Sequence, residues 1–374
     1  MKKIGIVGGG QLGRMFFQEA INFDVECHFL DGDKNAPCSS ISPNFVNGSI
    51  LDFDQVYAFG KNKDVVSIEI ENVNVEALKK LEAEGIKVFP QPHIIEMIQD
   101  KGLQKEFYRD HGIPTADFFL VNNRNEISNY VSEIPFMQKM RKGGYDGKGV
   151  TPIKHEDDVA GGFDVPSVLE KFVDFDKEIS VIVARNEKGQ VNSFPVVECE
   201  FNPEANLVEF LFSPADVSQT IEKEACQIAE DLIKKLEMVG LLAVEMFLTK
   251  EGKVLVNEIA PRPHNSGHQT IEGNVTSQYE QHLRSIIGLP LGDTSITLPS
   301  VMINLLGEKG FEGPVVYDKL DEVTAIAGVK PHIYGKKETK PFRKMGHITI
   351  IDKDLEKAKE KARFVKETIK VIAK

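Results

Sequence analysis

Short β-branched runs and longer amphipathic stretches alternate through the first quarter of the chain. Lys3 to Val7 carries Ile4, Ile6 and Val7 and stops at Gly8, Gly9 and Gly10, which predicts a strand ending in a tight turn. Gln11 to about Phe23 then reads as a helix, and Val25 to Leu30 as a second strand ending at Asp31. Val65 to Ile70 repeats the strand pattern, Val75 to Glu84 the helical one with Gly85 as its stop, and Lys87 to Phe89 extends again. Strand, helix and strand in succession predict a parallel sheet of Rossmann type. A helix from Ile94 to His111, closed by Gly112, leads into Ile113 and Pro114 and ends this region.

The pattern then changes. Strand-like runs at Phe136 to Met140, Ser167 to Val173, Ile179 to Ala184, Ser193 to Glu198, Leu241 to Leu248 and Val254 to Ile259 are joined by short glycine turns. Such spacing predicts an α+β region rich in antiparallel pairs. One helix interrupts it: Ser218 is the expected N-cap, Ile221, Ala225, Ile228, Ala229, Leu232 and Leu236 share a face, and Gly240 is the expected stop. Beyond Leu289 and Pro290 the chain is strand-rich again and closes on a charged amphipathic helix, Leu355 to Ile372.

Length and charge narrow the possibilities. With 374 residues the chain exceeds the size at which one core usually stops growing, so two or three domains are expected. A net charge of -12 repels polyanions, so nucleic acid is not an expected partner. No stretch reaches the roughly 18 apolar residues of a membrane helix, and the N-terminus turns to glycine instead of continuing as a signal-peptide core. A cytoplasmic protein without membrane association is the expectation. Cys27, Cys38, Cys199 and Cys226 lie far apart without CxxC pairing, which argues against a zinc site or a disulfide framework. Two basic clusters, Lys139, Arg141, Lys142 and Lys148, then Lys336, Lys337, Lys340, Arg343 and Lys344, suit a small anionic ligand such as a phosphate.

Several constellations carry chemistry. Gly8, Gly10 and Gly13 form GxGxxG between a strand and a helix, with Asp31 near the end of the second strand. Dinucleotide binding is one reading; a simpler phosphate on the free N–H groups of the helix start is another, and a tight turn alone is the third. The run Gly143, Gly144, Tyr145, Asp146, Gly147, Lys148, Gly149 makes a glycine-rich loop able to close on a triphosphate, with Lys139 as a fixed positive charge beside it. A long hairpin turn is its bland alternative.

Glu245 and Glu258 lie on two strands joined by Lys250, Glu251, Gly252 and Lys253. If Lys250 pairs with Lys253 across a two-residue turn, the same register sets Glu245 opposite Glu258. Facing carboxylates destabilise a ladder unless a cation lies between them, and their hard oxygens suit Mg2+ bridging nucleotide phosphates. Asn257 is a possible neutral ligand, although strand alternation turns it to the other face. Next comes Ala260, Pro261, Arg262, Pro263, His264, Asn265, Ser266, Gly267, His268. An arginine fixed between prolines suits bidentate binding of a planar oxyanion such as bicarbonate.

Together these segments resemble the N5-carboxyaminoimidazole ribonucleotide synthetase family of ATP-grasp ligases over nearly the whole chain. The motifs are GGGQLGRM at the start, EIEN at Glu69, GGYDGKGV at Gly143, EKFV at Glu170, VEMF at Val244, NEIAPRPHNSGH at Asn257 and KMGH at Lys344. The resemblance implies a mixed α/β and α+β fold: a Rossmann-like domain at 1–100, an ATP-grasp domain at 101–295 and a small β-rich C-terminal domain at 296–374. It implies ATP and Mg2+, with bicarbonate and 5-aminoimidazole ribonucleotide as further substrates, and a homodimer.

By the same resemblance, Lys101 and Lys139 contact the nucleotide phosphates, and Gly144, Tyr145, Asp146, Gly147, Lys148, Gly149 and Val150 form the loop over them. Glu170 and Val173 present backbone groups to the adenine edge, Lys171 and Phe172 also contact the nucleotide, Glu178 holds the ribose, Asn257 and Glu258 contact the nucleotide, and Glu245 and Glu258 bind Mg2+. The ribonucleotide is held by Gln11, Leu12, Glu71, Tyr145, Asp146, Lys336, Arg343 and Lys344. Arg262 and His264 orient bicarbonate, and Asp146 is the candidate base. One departure is visible: family members commonly carry a histidine shortly after the strand at Ser193 to Glu198, where this chain reads Cys199, Glu200, Phe201, Asn202.

Two other classes stay open at this point, a nicotinamide-dependent oxidoreductase and a nucleotide-binding module without chemistry. Within the ligases, a formate-using purine formyltransferase is the nearest rival. The paired carboxylates beside Arg262 and His264 favour the carboxylating ligase.

Overall fold

The computed structural model describes residues 2–144, 149–202 and 207–374. Its N-terminal part is a five-stranded parallel sheet in the order Phe45–Asn47, Glu26–Asp31, Lys3–Val7, Val65–Ile68, Lys87–Val88. Both faces are covered: Ile4, Ile6 and Val65 pack with Met15, Phe16 and Ala20 of the helix Gln11–Ile21, whereas Val7, Val66 and Ile68 pack with Leu78 and Leu81 on the other side. Continuous apolar runs are what a doubly covered parallel sheet requires.

The helix expected from Ile94 to His111 is two helices, Pro92–Ile98 and Lys101–Asp110. Asp100 causes the break, because its Oδ1 accepts from Gly102 N–H at 2.8 Å and caps the second helix. Arg141 grips the same carboxylate from the next domain, Nε to Oδ1 at 2.7 Å and Nη2 to Oδ2 at 2.9 Å. The break re-aims Lys101, Gln104, Lys105 and Tyr108 onto one face over the cleft described below.

Two antiparallel sheets follow. The smaller runs Phe118–Val121, Ser167–Lys171, Phe136–Met140, Val150–Ile153. The larger has nine strands, in the order Val254–Ala260, Gly240–Thr249, Phe175–Arg185, Val197–Asn202, Leu207–Ser213, Ser300–Leu306, Lys344–Ile351, Val329–Ile333, with Val191–Ser193 added to Phe175–Arg185. The C-terminal region therefore continues the same sheet. The helix Gln219–Lys235 seals its core with Ala225, Ala229, Leu232 and Ile233, and Ser218 Oγ caps it by accepting from Ile221 N–H.

Three expectations need correction. The run Ser193 to Glu198 is not one strand, because Pro195 has no N–H for a ladder and separates Val191–Ser193 from Val197–Asn202. Gly240 does not stop a helix: Leu236 ends it, and Gly240, at φ 127°, opens the next strand. The last helix stops at Thr368, and Lys370–Ala373 pairs with Gly313–Asp318 so that Ile369 and Val371 enter the core.

Candidate active site

A cleft opens between the two antiparallel sheets, lined by Lys101, Gln104, Lys105 and Tyr108 from the helix, Lys139, Val168 and Glu170 from the small sheet, and Asn257 and Glu258 from the large one. Three ammonium groups converge on it. Lys101 pairs with Glu258, Lys139 lies 3.2 Å from both Glu170 Oε1 and Asn257 Oδ1, and Lys105 lies 2.8 Å from Glu170 Oε2 and donates to Thr115 Oγ1 at 2.6 Å. Burial opposes ionisation of Glu170, but Lys139 and Lys105 outweigh it and hold the carboxyl below its usual range. Glu258 behaves alike: loss of water raises its pKa, and Lys101 more than reverses that. Sequence reasoning missed Lys105; the only trace of it is its i, i+4 spacing from Lys101, which any pair of helical lysines can share.

Glu245 does stand opposite Glu258, by a different route from the expected turn. Thr249 N–H donates to Lys253 O at 2.9 Å, so the hairpin loop has three residues, with Gly252 at φ 81°. Leu248, Phe247 and Met246 then pair with Val254, Leu255 and Val256, and a bulge before Glu258 takes up one residue, Asn257. The bulge also overturns the strand-alternation argument for Asn257, whose side chain joins Glu258 in the cleft.

Glu245 lacks a cationic partner as close as Lys101 is to Glu258. Burial, then Glu258 and Glu178, push its pKa up to about 7. Glu178, on Phe175–Arg185 beside Phe247, is likewise raised to about 7, by burial only partly offset by Lys139. Repelling carboxylate oxygens, of which Glu245 and Glu178 have no close ammonium partner, fit a hard divalent cation. Among the described residues no cluster of three His, Cys, Asp or Glu can hold a metal unaided, so remaining ligands would have to come from phosphate or water.

Beyond the hairpin, Arg262 Nε lies 2.9 Å from Glu71 Oε1 and its Nη1 donates to Pro263 O. His264 Nε2 is 3.7 Å from Glu245 Oε1. Ser266 N–H can only donate, so its 3.3 Å contact makes His264 Nδ1 an acceptor and leaves the proton on Nε2. Burial, then Arg262 and Lys344, hold this imidazole neutral, well below its usual pKa. The turn thus offers an arginine and a neutral N–H donor side by side, next to the carboxylate pair.

The glycine turn is filled from within. Glu69, buried at the end of Val65–Ile68, accepts from Gly10 N–H and, at 3.0 Å, from Leu12 N–H, while Asp31 Oδ2 accepts from Gly9 N–H at 2.8 Å. Carboxylates therefore hold the N–H groups that dinucleotide binding would need, and Asp31 is not presented to a ribose. Gln11 and Leu12 open the helix there.

Lys344 influences Glu245, His264 and His268 electrostatically, which places it at the same end of the site. Lys336 Nζ donates to Lys344 O at 2.7 Å, and Arg343 Nη1 to Glu338 O at 2.7 Å. Lys171 is drawn to Glu133, at 2.8 Å, and Phe172 and Val173 follow the strand edge with Phe172 exposed. Gly144 and Gly149 flank the loop, and Val150 pairs with Lys139. Tyr145, Asp146, Gly147 and Lys148 lie outside the described residues. Where the family histidine was missing, Cys199 is buried opposite Glu178 and Leu211.

Family models match in three consecutive blocks: a ribonucleotide synthetase preATP-grasp domain at residues 1–99, an ATP-grasp domain at 106–279 and a phosphoribosylaminoimidazole carboxylase C-terminal domain at 300–361. The chloroplastic phosphoribosylaminoimidazole carboxylase of Vigna aconitifolia is 40% identical over 94% of this chain, which spans 64% of that protein's length. The crystal structure of N5-carboxyaminoimidazole ribonucleotide synthetase from Thermotoga maritima superposes with a TM-score of 0.92 at 44% identity, covering 100% of both chains. That of the Aspergillus clavatus synthase, in complex with ADP and 5-aminoimidazole ribonucleotide, gives 0.89 at 32% identity over 98% of both chains. The chain belongs to the N5-carboxyaminoimidazole ribonucleotide synthase family of ATP-grasp proteins.

Proposed function

We propose that this protein joins bicarbonate to 5-aminoimidazole ribonucleotide, with cleavage of ATP to ADP and phosphate, giving N5-carboxyaminoimidazole ribonucleotide for purine biosynthesis. The observation that carries the reading is the juxtaposition of Arg262 and the neutral His264 with the Glu245–Glu258 pair. ATP occupies the cleft with its phosphates against Lys101 and Lys139, its ribose at Glu178 and its adenine along Glu170 to Val173. Glu245, Glu258 and Asn257 would hold Mg2+, which neutralises phosphate charge as the phosphoryl group transfers.

Arg262 binds the bicarbonate oxygens, and His264 Nε2–H donates to the oxyanion without gaining a charge. A bicarbonate oxygen attacks the γ-phosphorus and ADP leaves, forming carboxyphosphate. This breaks to phosphate and CO2, which the exocyclic amine attacks, and Asp146 takes the amine proton. Gln11, Leu12, Glu71, Tyr145, Lys336, Arg343 and Lys344 hold the ribonucleotide. A homodimer follows from the family resemblance, and the expected cytoplasmic location from the amino-acid sequence.

ADP release measured with and without aminoimidazole ribonucleotide and bicarbonate is the test. Stimulation by both supports the reading, and stimulation by neither removes it. Formate in place of bicarbonate separates the formyltransferase alternative, and product formation by Asp146→Asn at saturating substrate tests the base.

A further inference from the structure

Arg262 and His264 lie in irregular backbone between the strand Val254–Ala260 and the 3-10 turn Asn265–Gly267, so its shape depends on what holds it. The fully buried side chain of Gln278 closes both backbone groups of one residue in it. Gln278 Oε1 accepts from His264 N–H at 2.9 Å, and Nε2 donates to His264 O at 2.8 Å. Because a backbone N–H only donates, this pair also fixes which way the amide faces.

The amide is itself held. Nε2 donates to His268 Nδ1 at 3.1 Å, and the Tyr279 hydroxyl lies 3.0 Å from the same nitrogen. Gln278 N–H donates to Thr270 Oγ1 at 2.8 Å, and that hydroxyl donates to Gly267 O at 2.5 Å. Gly267 leaves the space the amide fills, since a Cβ there would fall 2.5 Å from Gln278 Oε1. Downstream, the His264 ring is held through Nδ1 to Ser266 Oγ at 3.0 Å, and that hydroxyl to Ser180 Oγ at 2.8 Å.

We infer that Gln278 is a positioning residue for the oxyanion turn, whose carboxamide sets the aim of His264 and Arg262 and thereby how much of the ATP consumed ends as carboxylated product. It touches no substrate. A misaimed turn lets carboxyphosphate form and decay without meeting the amine, because capture depends on placement to a fraction of an ångström. The inference rests on the carboxylation reading. Gln278→Glu keeps the acceptor but loses the donor to His264 O, and Gln278→Leu loses both.

The test is carboxylated product formed per ADP released, in the full-length protein with Mg-ATP, bicarbonate and aminoimidazole ribonucleotide. Gln278→Leu and Gln278→Glu should lower that ratio about threefold or more while the KM for ATP stays within about twofold. Gly267→Ala, which pushes the amide off its seat from the other side, should give the same signature and decides the matter if either Gln278 variant fails to fold. Loss of folded protein alone lowers ADP and product together and leaves the ratio unchanged. Folded variants with a wild-type ratio overturn the inference while the carboxylation reading stands; a wild type whose ADP release ignores both co-substrates overturns both.

Discussion

Arg262 is tethered to Glu71, with Nε 2.9 Å from Oε1 across the junction of the parallel and antiparallel sheets. The contact is an ion pair by distance only, for the buried Nε has no aligned acceptor among the described residues. The planar fork is thus aimed but not used up. Arg262→Lys keeps the charge and loses the fork, so kcat for bicarbonate-dependent ADP release should fall about 100-fold with the KM for ATP little changed. Steady-state kinetics in varied bicarbonate check this.

If Glu245 and Glu258 hold Mg2+ as proposed, their facing carboxylates trade stability for that binding. Glu245→Gln removes the repulsion with Glu258, so the nucleotide-free protein should gain about 1 kcal/mol while the Mg2+ needed for half-maximal ADP release rises about tenfold. Thermal melts and a Mg2+ titration on one preparation measure both. A stability gain with unchanged Mg2+ demand would return the pair to an incidental surface feature.

Lys105 and Glu170 are both nearly fully buried. Lys105→Met leaves Glu170 with Lys139 alone and should cost about 3 kcal/mol, much of which Glu170→Gln in the same chain should restore. Urea unfolding of the two single variants and the double variant gives the coupling directly.

Acid should weaken the junction between the N-terminal sheet and the helix Gln278–Ile287. His282, bonded to Ser67 Oγ at 3.1 Å, is held neutral by burial, its pKa lowered from 6.5 to about 3. A depressed pKa contributes stability that is present above pH 6.5 and lost as pH falls toward 3, so at pH 5 this one group costs about 2 kcal/mol. The Tm should drop between pH 7 and pH 5, and His282→Gln should flatten that slope.

The pairing of Glu245 with Glu258 was legible because strand alternation fixes which residues can meet once two apolar runs flank a glycine turn. The route was not: a loop longer by one residue and a bulge of one residue cancel, and only the coordinates separate that from a plain two-residue turn. Asn257 was misplaced for the same reason. Gly8, Gly9 and Gly10 announced a helix start but not its occupant, since Glu69 lies 59 residues from Gly10 in sequence. Lys105 reads as any helical lysine until the Asp100 cap turns its helix toward Glu170. Gln278 was invisible because its work is done on the backbone of His264, which carries no side-chain signature.

The sheet that runs unbroken from Val254–Ala260 to Lys344–Ile351 and Val329–Ile333 carries Glu245 and Glu258 on one wing and Lys344 on the other. Hydrogen-bonded strands do not slide past one another, so the placement of Lys344 relative to Glu245 and Glu258 is fixed by the sheet. Any relative movement of the two cleft walls therefore falls to the smaller sheet, which carries Lys139 and Glu170. The larger sheet is the anvil, and amide exchange should be slowest along its central strands and faster in the four-stranded sheet.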